Sequence, residues 1–291
     1  MKTKQVIKNT YTSRQIFIKK FMKNKLAVVG SLIIIVFVIM AIFAPIFATF
    51  DPNTTDLLNI RTSPNKVHIL GTDDLGRDIF SRLLYGGRVS IAVGVASMML
   101  QILIGVTIGV IAGYFGGLID KIIMRIVDII MCFPFFVIAI ALAAVIGGSI
   151  TNLVLIIGML MWPVITRIVR GEVLVTKQNE YILAAKALGF NTFEIIIHHI
   201  IPNIISAILV SSTLCIAQGI LMEATLSFLG LGVNPPTPSW GNMLVAAQNM
   251  SVLSHKWWMW IPAGMSVVLI VLSVNFVGDG LRDALDVEKS V

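Results

Sequence analysis

The chain has 291 residues, of which 57% are hydrophobic and 13% are charged, and its formal net charge is +7. A soluble domain averages about 45–50% apolar and about 25% charged residues, so this composition excludes an ordinary soluble protein and predicts an all-α, polytopic membrane protein. The positive net charge needs no nucleic-acid partner, because loops of membrane proteins carry a bias of basic residues. Cys132 and Cys215 lie in separate apolar runs and indicate neither a disulfide framework nor a metal site.

Six apolar stretches predict six membrane-spanning helices, because about 20 apolar residues are needed to cross a bilayer. In chain order these are residues 26–50, a helix within 90–119, a helix from 122 to Gly147, a helix from that turn to beyond Arg167, 204–230 and 257–278. The first span is too long for a cleaved signal peptide and is interpreted as a retained anchor. In the second, Gly105, Gly109 and Gly113 predict close packing against another helix, in this chain or in a partner.

The distribution of Lys and Arg predicts that both termini lie in the cytoplasm, because basic loops stay on that side. An even number of spans places both termini on the same side. The inner segments then carry 16 basic residues and the outer segments carry six. The N-terminal tail contains eight of them and no acid: Lys2, Lys4, Lys8, Arg14, Lys19, Lys20, Lys23 and Lys25.

Two long segments are predicted on the outer side. The first, residues 51–89, contains GTDDLGRDIFSRLLYGGRVS, and the spacing of Phe80, Leu83 and Leu84 predicts a short amphipathic helix lying on the outer surface. The second, residues 231–256, contains NPPTPSWGNML and is expected to fold against the outer mouth of a pore. A cluster of Trp residues at 257, 258 and 260 is typical of a membrane-interface belt.

The inner loop between spans four and five, residues 167–199, is polar and is long for a connection between neighbouring helices. Its sequence EYILAAKALGFNTFEIIIHHIIPN predicts a helical hairpin. Tyr181, Ala184, Ala185 and Leu188 recur at the spacing of one helix face. Gly189 fits a left-handed helix end. The second helix is expected to begin at an N-cap on Asn191 or Thr192, with Glu194 in its first turn, and Pro202 precedes span five.

Two interpretations of this hairpin stay open on physical grounds alone. It could only cap the membrane bundle, or it could be the rigid cytoplasmic projection on which a separate motor protein acts. The adjacent His198 and His199 are expected to end a helix or contact a partner, since a metal site needs other spacing or further ligands.

The chain is not expected to be an enzyme. No G-x-x-x-x-G-K-[ST] phosphate-binding loop occurs in it, and no group of polar residues suggests catalytic, cofactor-binding or metal-binding residues. Glu223 is the one carboxylate well inside a predicted span, and intramembrane charges are costly and often functional. It could bind substrate along a pathway or serve a structural role, such as a hydrogen bond to Ser227; the structural role is favoured.

The hairpin resembles the EAA loop of bacterial ABC-importer permeases, with Ala184, Ala185, Gly189 and Pro202 at matching positions. Leu183 stands where that pattern has Glu, and Glu180 lies three residues earlier, as in the dipeptide, oligopeptide and nickel branch. The segments GTDDLGRDIFSRLLYGGRVS, EATLSFLGLGVNPPTPSWGNML and NFVGDGLRDALD are similar to the same branch, and to its C-type permease.

The resemblance implies a type I importer permease fold in the bacterial cytoplasmic membrane. It also implies three kinds of partner besides lipid: a second homologous permease, two ATPase subunits that bind ATP and Mg, and an extracytoplasmic substrate-binding protein. The ATPase would contact a set of hairpin residues: Glu180, Tyr181, Ala184, Ala185, Gly189 and Pro202. The expected division is a basic tail at 1–25, an anchor and outer loop at 26–88, a permease domain at 89–280 with the coupling loop at 167–203, and a tail at 281–291.

Peptides are the favoured substrate, because no metal-binding cluster is visible. Nickel, metal chelates and glutathione stay open as alternatives, since this branch handles them too. A more remote alternative is an ion-coupled secondary transporter, which would need ionisable residues in several spans and an internal repeat. Neither is evident in the sequence.

Overall fold

The structure is a computed structural model, and it describes residues 13–285. Its α-helices are α1 (Ser13–Lys23), α2 (Lys25–Ile42), α3 (Ala44–Phe47), α4 (Ile79–Phe115), α5 (Gly117–Cys132), α6 (Phe135–Ile146), α7 (Ile150–Thr176), α8 (Glu180–Ala187), α9 (Thr192–Ile195), α10 (Ile201–Phe228), α11 (Trp240–Leu244), α12 (Met250–His255) and α13 (Ile261–Leu285). A π-helical turn, Ile196–Ile200, joins α9 to α10. Over this described range there is no β-strand, which confirms the all-α prediction.

Five helices are long and apolar enough to cross a membrane: α2, α4, α7, the continuous run Thr192–Phe228, and α13. A sixth crossing results if the bent pair α5 and α6 counts as one span. The predicted multi-span architecture is therefore confirmed. Parts of the predicted tails, residues 1–12 and 286–291, lie outside the described range. The predicted domain boundaries stay predictions. Helix α4 runs without a break across the boundary predicted between residues 88 and 89.

The third span is not the single helix that the sequence predicted. Helices α5 and α6 meet at an angle of 79°. The break falls at Phe133 and Pro134, where Phe133 is extended, with φ −89° and ψ 133°. Proline lacks an N–H group and disfavours the helical conformation in the residue before it, so the helix ends at Cys132. The predicted turn at Gly147 is confirmed, because this residue has a φ of +81° and ends α6.

Helices α4 and α7 pack along most of their length and run parallel to each other. A Cβ atom placed on Gly105, Gly109 or Gly113 would come within 2.7 to 2.8 Å of the Cβ atoms of three residues of α7: Ile165, Val169 and Val173. The three glycines therefore let two backbones approach closely, as small residues do in membrane bundles. The predicted close packing is thus within this chain.

The parallel direction of α4 and α7 determines the path of the chain through α5 and α6. Lys177, just after α7, donates from Nζ to the carbonyl of Gly113 near the end of α4 at 2.7 Å, so these two ends lie together. At the other end, Gly148 lies against the backbone of Gly232, which follows α10. The chain between α4 and α7 therefore passes from one end of the bundle to the other, and α5 with α6 is one broken crossing. The total is six.

The bundle consequently has two ends. The hairpin end holds the last turns of α4 and α7 together with α8 and α9, and the loop end holds the first turn of α4 and the segments 48–78 and 229–260. Helix α4 has 37 residues, which corresponds to about 55 Å at 1.5 Å per residue. This length separates the two ends by more than a bilayer thickness.

No separate amphipathic helix lies at residues 80–84, and that prediction is wrong. These residues form the first turns of α4, which begins at Ile79. The side chain of Asp78 caps it, with Oδ2 accepting from the backbone N–H and the hydroxyl of Ser81, both at 2.8 Å. Leu84 is buried and Leu83 packs against the core, so their apolar spacing reflects burial inside the protein.

The loop end is covered by the segment after α10. Trp240, at the start of α11, is almost fully buried in the main core cluster and donates from Nε1 to the carbonyl of Leu83 at 3.0 Å. This supports the expectation that the second outer segment folds back on the bundle. Trp257 is half exposed, as an interfacial side chain would be, whereas Trp258 and Trp260 pack against the core.

Candidate functional site

The hairpin projects from the ends of α4 and α7 and is packed onto them from one side. Ile182 and Ala185 of α8, together with Ile195 and Ile200, are buried in one cluster with residues of α4, α7 and α10. Each of these four side chains is at most 5% exposed. The hairpin is thus anchored to the bundle by its own apolar side chains.

The turn of the hairpin is a left-handed helix end, as predicted. Gly189 has a φ of +87°. Its N–H donates to the carbonyl of Lys186 at 3.1 Å, and the N–H of Phe190 donates to the carbonyl of Ala185 at 3.2 Å, which together form a Schellman motif. A Cβ atom on Gly189 would meet nothing within 4 Å, so the backbone conformation and not the available space requires glycine.

The second helix begins at Asn191, which is the first of the two predicted caps. Asn191 Oδ1 accepts from the N–H of Glu194 at 2.9 Å, and Glu194 Oε2 accepts from the N–H of Asn191 at 2.9 Å. This reciprocal pair is a capping box, which satisfies two otherwise unpaired backbone donors. It fixes the direction in which the chain leaves the turn.

A π-helical turn precedes Pro202. The N–H of Ile201 donates to the carbonyl of Ile196, five residues earlier. The next residue, Pro202, has no N–H and its ring crowds the preceding turn, so a wider turn at this point accommodates it. Asn203 Nδ2 donates to the carbonyl of His199 at 2.6 Å. Neighbouring His198 makes a contact of 3.2 Å between Nδ1 and the carbonyl of Glu194, on its own helix.

The predicted contact face of α8 is divided by the structure. Glu180, Tyr181 and Ala184 are exposed, whereas Ala185 is only 5% exposed and faces the chain's own core. Ala185 therefore packs inside this chain, and its predicted contact with a partner stays a prediction. The apolar residues of α8 are spread around the helix and are not confined to one face, so their spacing did not show which side faces inwards.

The exposed side of the hairpin carries large apolar residues that the sequence analysis did not single out as a group. Leu188 is 77% exposed and Phe193 is 72% exposed, and Leu183 and Phe190 are about half exposed. We call Tyr181, Leu188, Phe190 and Phe193 the hairpin surface.

Polar contacts tie the hairpin and the broken span to the bundle. The ammonium of Lys186 lies 5.2 Å from the centre of the Tyr114 ring, which links α8 to the last turn of α4. Arg170 of α7 makes a bidentate ion pair with Asp120 of α5, at 2.5 and 2.6 Å. A second pair joins Arg167 and Asp128 at 2.5 Å. Motion of the hairpin would therefore be transmitted to α4, α5 and α7.

Glu223 occupies a closed polar cluster near the loop end of α10. It is fully buried, with Oε1 accepting from the hydroxyl of Ser227 and Oε2 from the hydroxyl of Ser90, both at 2.7 Å. Ser90 in turn accepts from the N–H of Trp240 at 3.1 Å. The predicted bond to Ser227 is thus present, and the cluster links α4, α10 and the outer segment. These contacts favour the structural role over a pathway role.

This arrangement defines a class: a multi-pass, all-α membrane protein whose bundle carries a capped helical hairpin packed on the ends of its helices. The family described as "binding-protein-dependent transport system inner membrane component" matches residues 105–289. The N-terminal transmembrane domain of oligopeptide transport permease C matches residues 12–64. The chain therefore belongs to the family of binding-protein-dependent transport system inner membrane components.

Curated relatives extend along nearly the whole chain. It is 45% identical over 268 residues to the oligopeptide transport system permease protein of Bacillus subtilis, covering 92% of this chain and 87% of that protein. It is 44% identical to the dipeptide transport system permease protein of Alkalihalophilus pseudofirmus, covering 92% and 88%. It is 42% identical to the glutathione transport system permease protein of Shigella flexneri, covering 93% and 89%. The predicted resemblance to ABC-importer permeases is confirmed.

Proposed function

We propose that this protein is a permease subunit of an ATP-driven importer that carries di- or oligopeptides across the bacterial cytoplasmic membrane. The observation that supports it most is the combination of a projecting apolar hairpin with relatives that are named peptide permeases over more than nine tenths of the chain. Large exposed apolar patches on a protein mark sites of interaction with other molecules.

The hairpin is the proposed contact for an ATPase subunit. The hairpin surface and the adjacent Glu180 and Ala184 would dock into the ATPase, while Gly189 sets the angle between α8 and α9. Pro202 would contribute by shaping the π-helical turn. Because Lys186 and the buried side chain of Ile182 fasten the hairpin to the bundle, a displacement of the hairpin would move α4 and α7 with it.

The complete assembly would contain a second homologous permease, two ATPase subunits and an extracytoplasmic substrate-binding protein. In this assembly the ATPase subunits bind ATP and Mg, and this chain contributes half of the pore within the lipid bilayer. Catalysis is assigned to the partners because this chain carries no phosphate-binding loop.

Glutathione is the second candidate substrate, because relatives with 42% identity are named glutathione permeases. Glutathione is itself a peptide with free carboxylates, so both candidates belong to one chemical class. Nickel and metal chelates remain less favoured, and ion-coupled transport is the most remote alternative.

The test is uptake into proteoliposomes that contain the complete assembly. Labelled dipeptide, oligopeptide, glutathione and nickel ion would each be supplied with the substrate-binding protein, with ATP or a non-hydrolysable analogue inside. Peptide uptake that requires hydrolysable ATP is expected. Uptake driven by an ion gradient without ATP would contradict the proposal, and ATP-dependent uptake of nickel alone would replace its substrate.

A further inference from the structure

The loop end of the bundle contains a cavity to which no role has been assigned so far. It has a volume of about 530 Å³ and lies between the segment that precedes α4 and the segment that follows α10. Small-molecule sites in proteins are typically clefts of about 300–1,000 Å³. Its lining combines the charged side chains Asp73, Arg77 and Arg82 with amides and with the apolar side chains of Met243 and Met259.

The acidic groups of this cavity are already paired. Asp73 Oδ1 accepts from the backbone N–H of Arg77 at 3.0 Å and Oδ2 accepts from its Nε at 2.7 Å. Arg82 Nε lies 3.5 Å from the same Oδ2. Asp74 is paired with Arg61 at the rim. The charged residues that line the cavity are two aspartates and two arginines, so their formal charges balance, and Arg61 pairs with Asp74 from outside this lining.

The two arginines differ in how many of their donors already have a partner. Arg82 is only 5% exposed, and its Nη1 is held by the carbonyls of Pro52 at 2.9 Å and Pro236 at 3.4 Å. Arg77 is more accessible, and within residues 13–285 no acceptor binds either of its Nη groups. A planar guanidinium with two free N–H groups matches the geometry of a carboxylate.

Other parts of the lining suit the remainder of a short peptide. Asn249 uses Oδ1 to cap α12, accepting from Ser251 at 2.9 Å, while in the described part of the chain its Nδ2 group has no acceptor. Met243, Met259 and Ile79 supply an apolar wall, and Met side chains adapt to different shapes. A cationic end, an amide donor and an adaptable apolar wall correspond to a carboxylate, a peptide carbonyl and variable side chains.

We infer that this cavity binds the C-terminal carboxylate of a short peptide through Arg77, with Arg82 holding the charged end of the site in place. The inference rests on the proposed function, because it treats the transported peptide as the ligand. The site lies at the loop end, about 55 Å along α4 from the hairpin, where a peptide would first meet this chain.

Binding of labelled dialanine and of dialanine amide to the permease assembly in nanodiscs, without the substrate-binding protein, tests the inference. Dialanine is expected to bind more tightly than its amide. Arg77→Gln should lower the affinity for dialanine about tenfold, to the level of the amide, because it removes a charge-assisted hydrogen bond. Arg77→Lys keeps the charge but loses the planar fork, and should fall between the two.

Arg88→Gln is the matched control, because it removes the same charge from a nearby position, inside α4. Arg88 is exposed, contacts the ring of Tyr85 and does not line the cavity, so its variant should bind dialanine normally. Co-purification of the partner subunits and the unfolding temperature would show that each variant is folded.

Three results would overturn the inference. Equal binding of dialanine and its amide by the unmodified assembly would show that no carboxylate is recognised. Normal binding by Arg77→Gln would remove this residue from the site. If Arg77→Gln binds dialanine normally but captures the substrate-binding protein more weakly, the cavity receives an acidic side chain of that protein. Peptide uptake by the complete assembly is measured separately, so any of these results leaves the proposed function standing.

Discussion

At the scale of single residues, Gly189 shows how one backbone angle shapes the proposed functional surface. Its φ of +87° closes the Schellman motif that ends α8. The capping box between Asn191 and Glu194 then starts α9 two residues later. The exposed side chains of the hairpin surface consequently occupy fixed positions around the turn.

Gly189→Leu is expected to impair transport while the protein still inserts into the membrane. A branched side chain at positive φ costs roughly 1–2 kcal/mol, so the turn would shift and α9 would change direction relative to α8. Substrate uptake and co-purification of the ATPase, both normalised to permease level, are the measurements. Gly189→Asn is the matched variant, since Asn tolerates this conformation, and it should retain most of the uptake.

The comparison with Glu180→Ala separates shape from charge. Glu180 is exposed at the start of α8, and its loss removes one polar group without changing the turn. Its effect on uptake should be smaller than that of Gly189→Leu. Normal uptake by Gly189→Leu at normal expression would show that the hairpin only caps the bundle.

At the scale of the elements, the parallel contact between α4 and α7 is the main support of the hairpin. Gly105, Gly109 and Gly113 remove the side chains that would otherwise hold the two helices apart. Tyr114, which follows Gly113, contacts Lys186 of the hairpin. Lys177, which follows α7, donates to the carbonyl of Gly113 near the end of α4. Separation of α4 and α7 would therefore disturb both of these contacts, through which the hairpin is proposed to act on the bundle.

Gly109→Leu is expected to destabilise the bundle. Even the first atom of its side chain would lie 2.8 Å from the Cβ of Val169 and 2.9 Å from the carbonyl oxygen of Thr166, so the helices would have to separate. Overpacking of this kind typically costs about 1–3 kcal/mol. Gly171→Leu, on the exposed side of α7 where nothing lies within 4 Å, is the control and should be tolerated.

The measurement is the unfolding temperature of the purified protein in detergent, together with its yield from the membrane fraction. A lower temperature for Gly109→Leu and an unchanged one for Gly171→Leu are expected. Equal stability of the two variants would show that α4 and α7 do not pack as closely as the structure has them.

At the scale of the whole molecule, six crossings place the hairpin and the cavity at opposite ends of the bundle. The bent pair α5 and α6 completes this arrangement, because it returns the chain between the two parallel helices. The basic bias of the inner segments predicts that the hairpin end faces the cytoplasm, and this orientation stays a prediction. The proposed coupling surface would then lie on the side of the ATPase subunits, and the proposed substrate-binding cavity on the side of the substrate-binding protein.

Cysteine labelling in intact cells tests this orientation. After Cys132 and Cys215 are replaced, a cysteine at Leu188, next to Gly189, should be shielded from an impermeant thiol reagent, and a cysteine at Asn65 should react. Both positions are exposed, so their accessibility within the protein is matched. Rapid labelling at Leu188 from outside would reverse the orientation and would contradict the proposed coupling role.

The sequence by itself determined the features that depend on composition and on local chemistry. The apolar content predicted an all-α membrane protein, and the motifs predicted its family. The left-handed Gly189 and the Asn191 cap were also predictable, because both follow from the conformational preferences of neighbouring residues. The bend at Pro134 had a local signal as well, which the length of the uncharged run concealed.

The tertiary structure alone decided which faces are buried and which distant segments meet. The apolar residues of α8 are spread around the helix, so only its packing shows that Ala185 faces the core and Ala184 faces out. Glu223 is hydrogen-bonded to Ser90, 133 residues earlier in the chain, and the charged cavity is assembled from one segment before α4 and one after α10. Such contacts depend on how whole helices pack together, and no local preference in the sequence determines that packing.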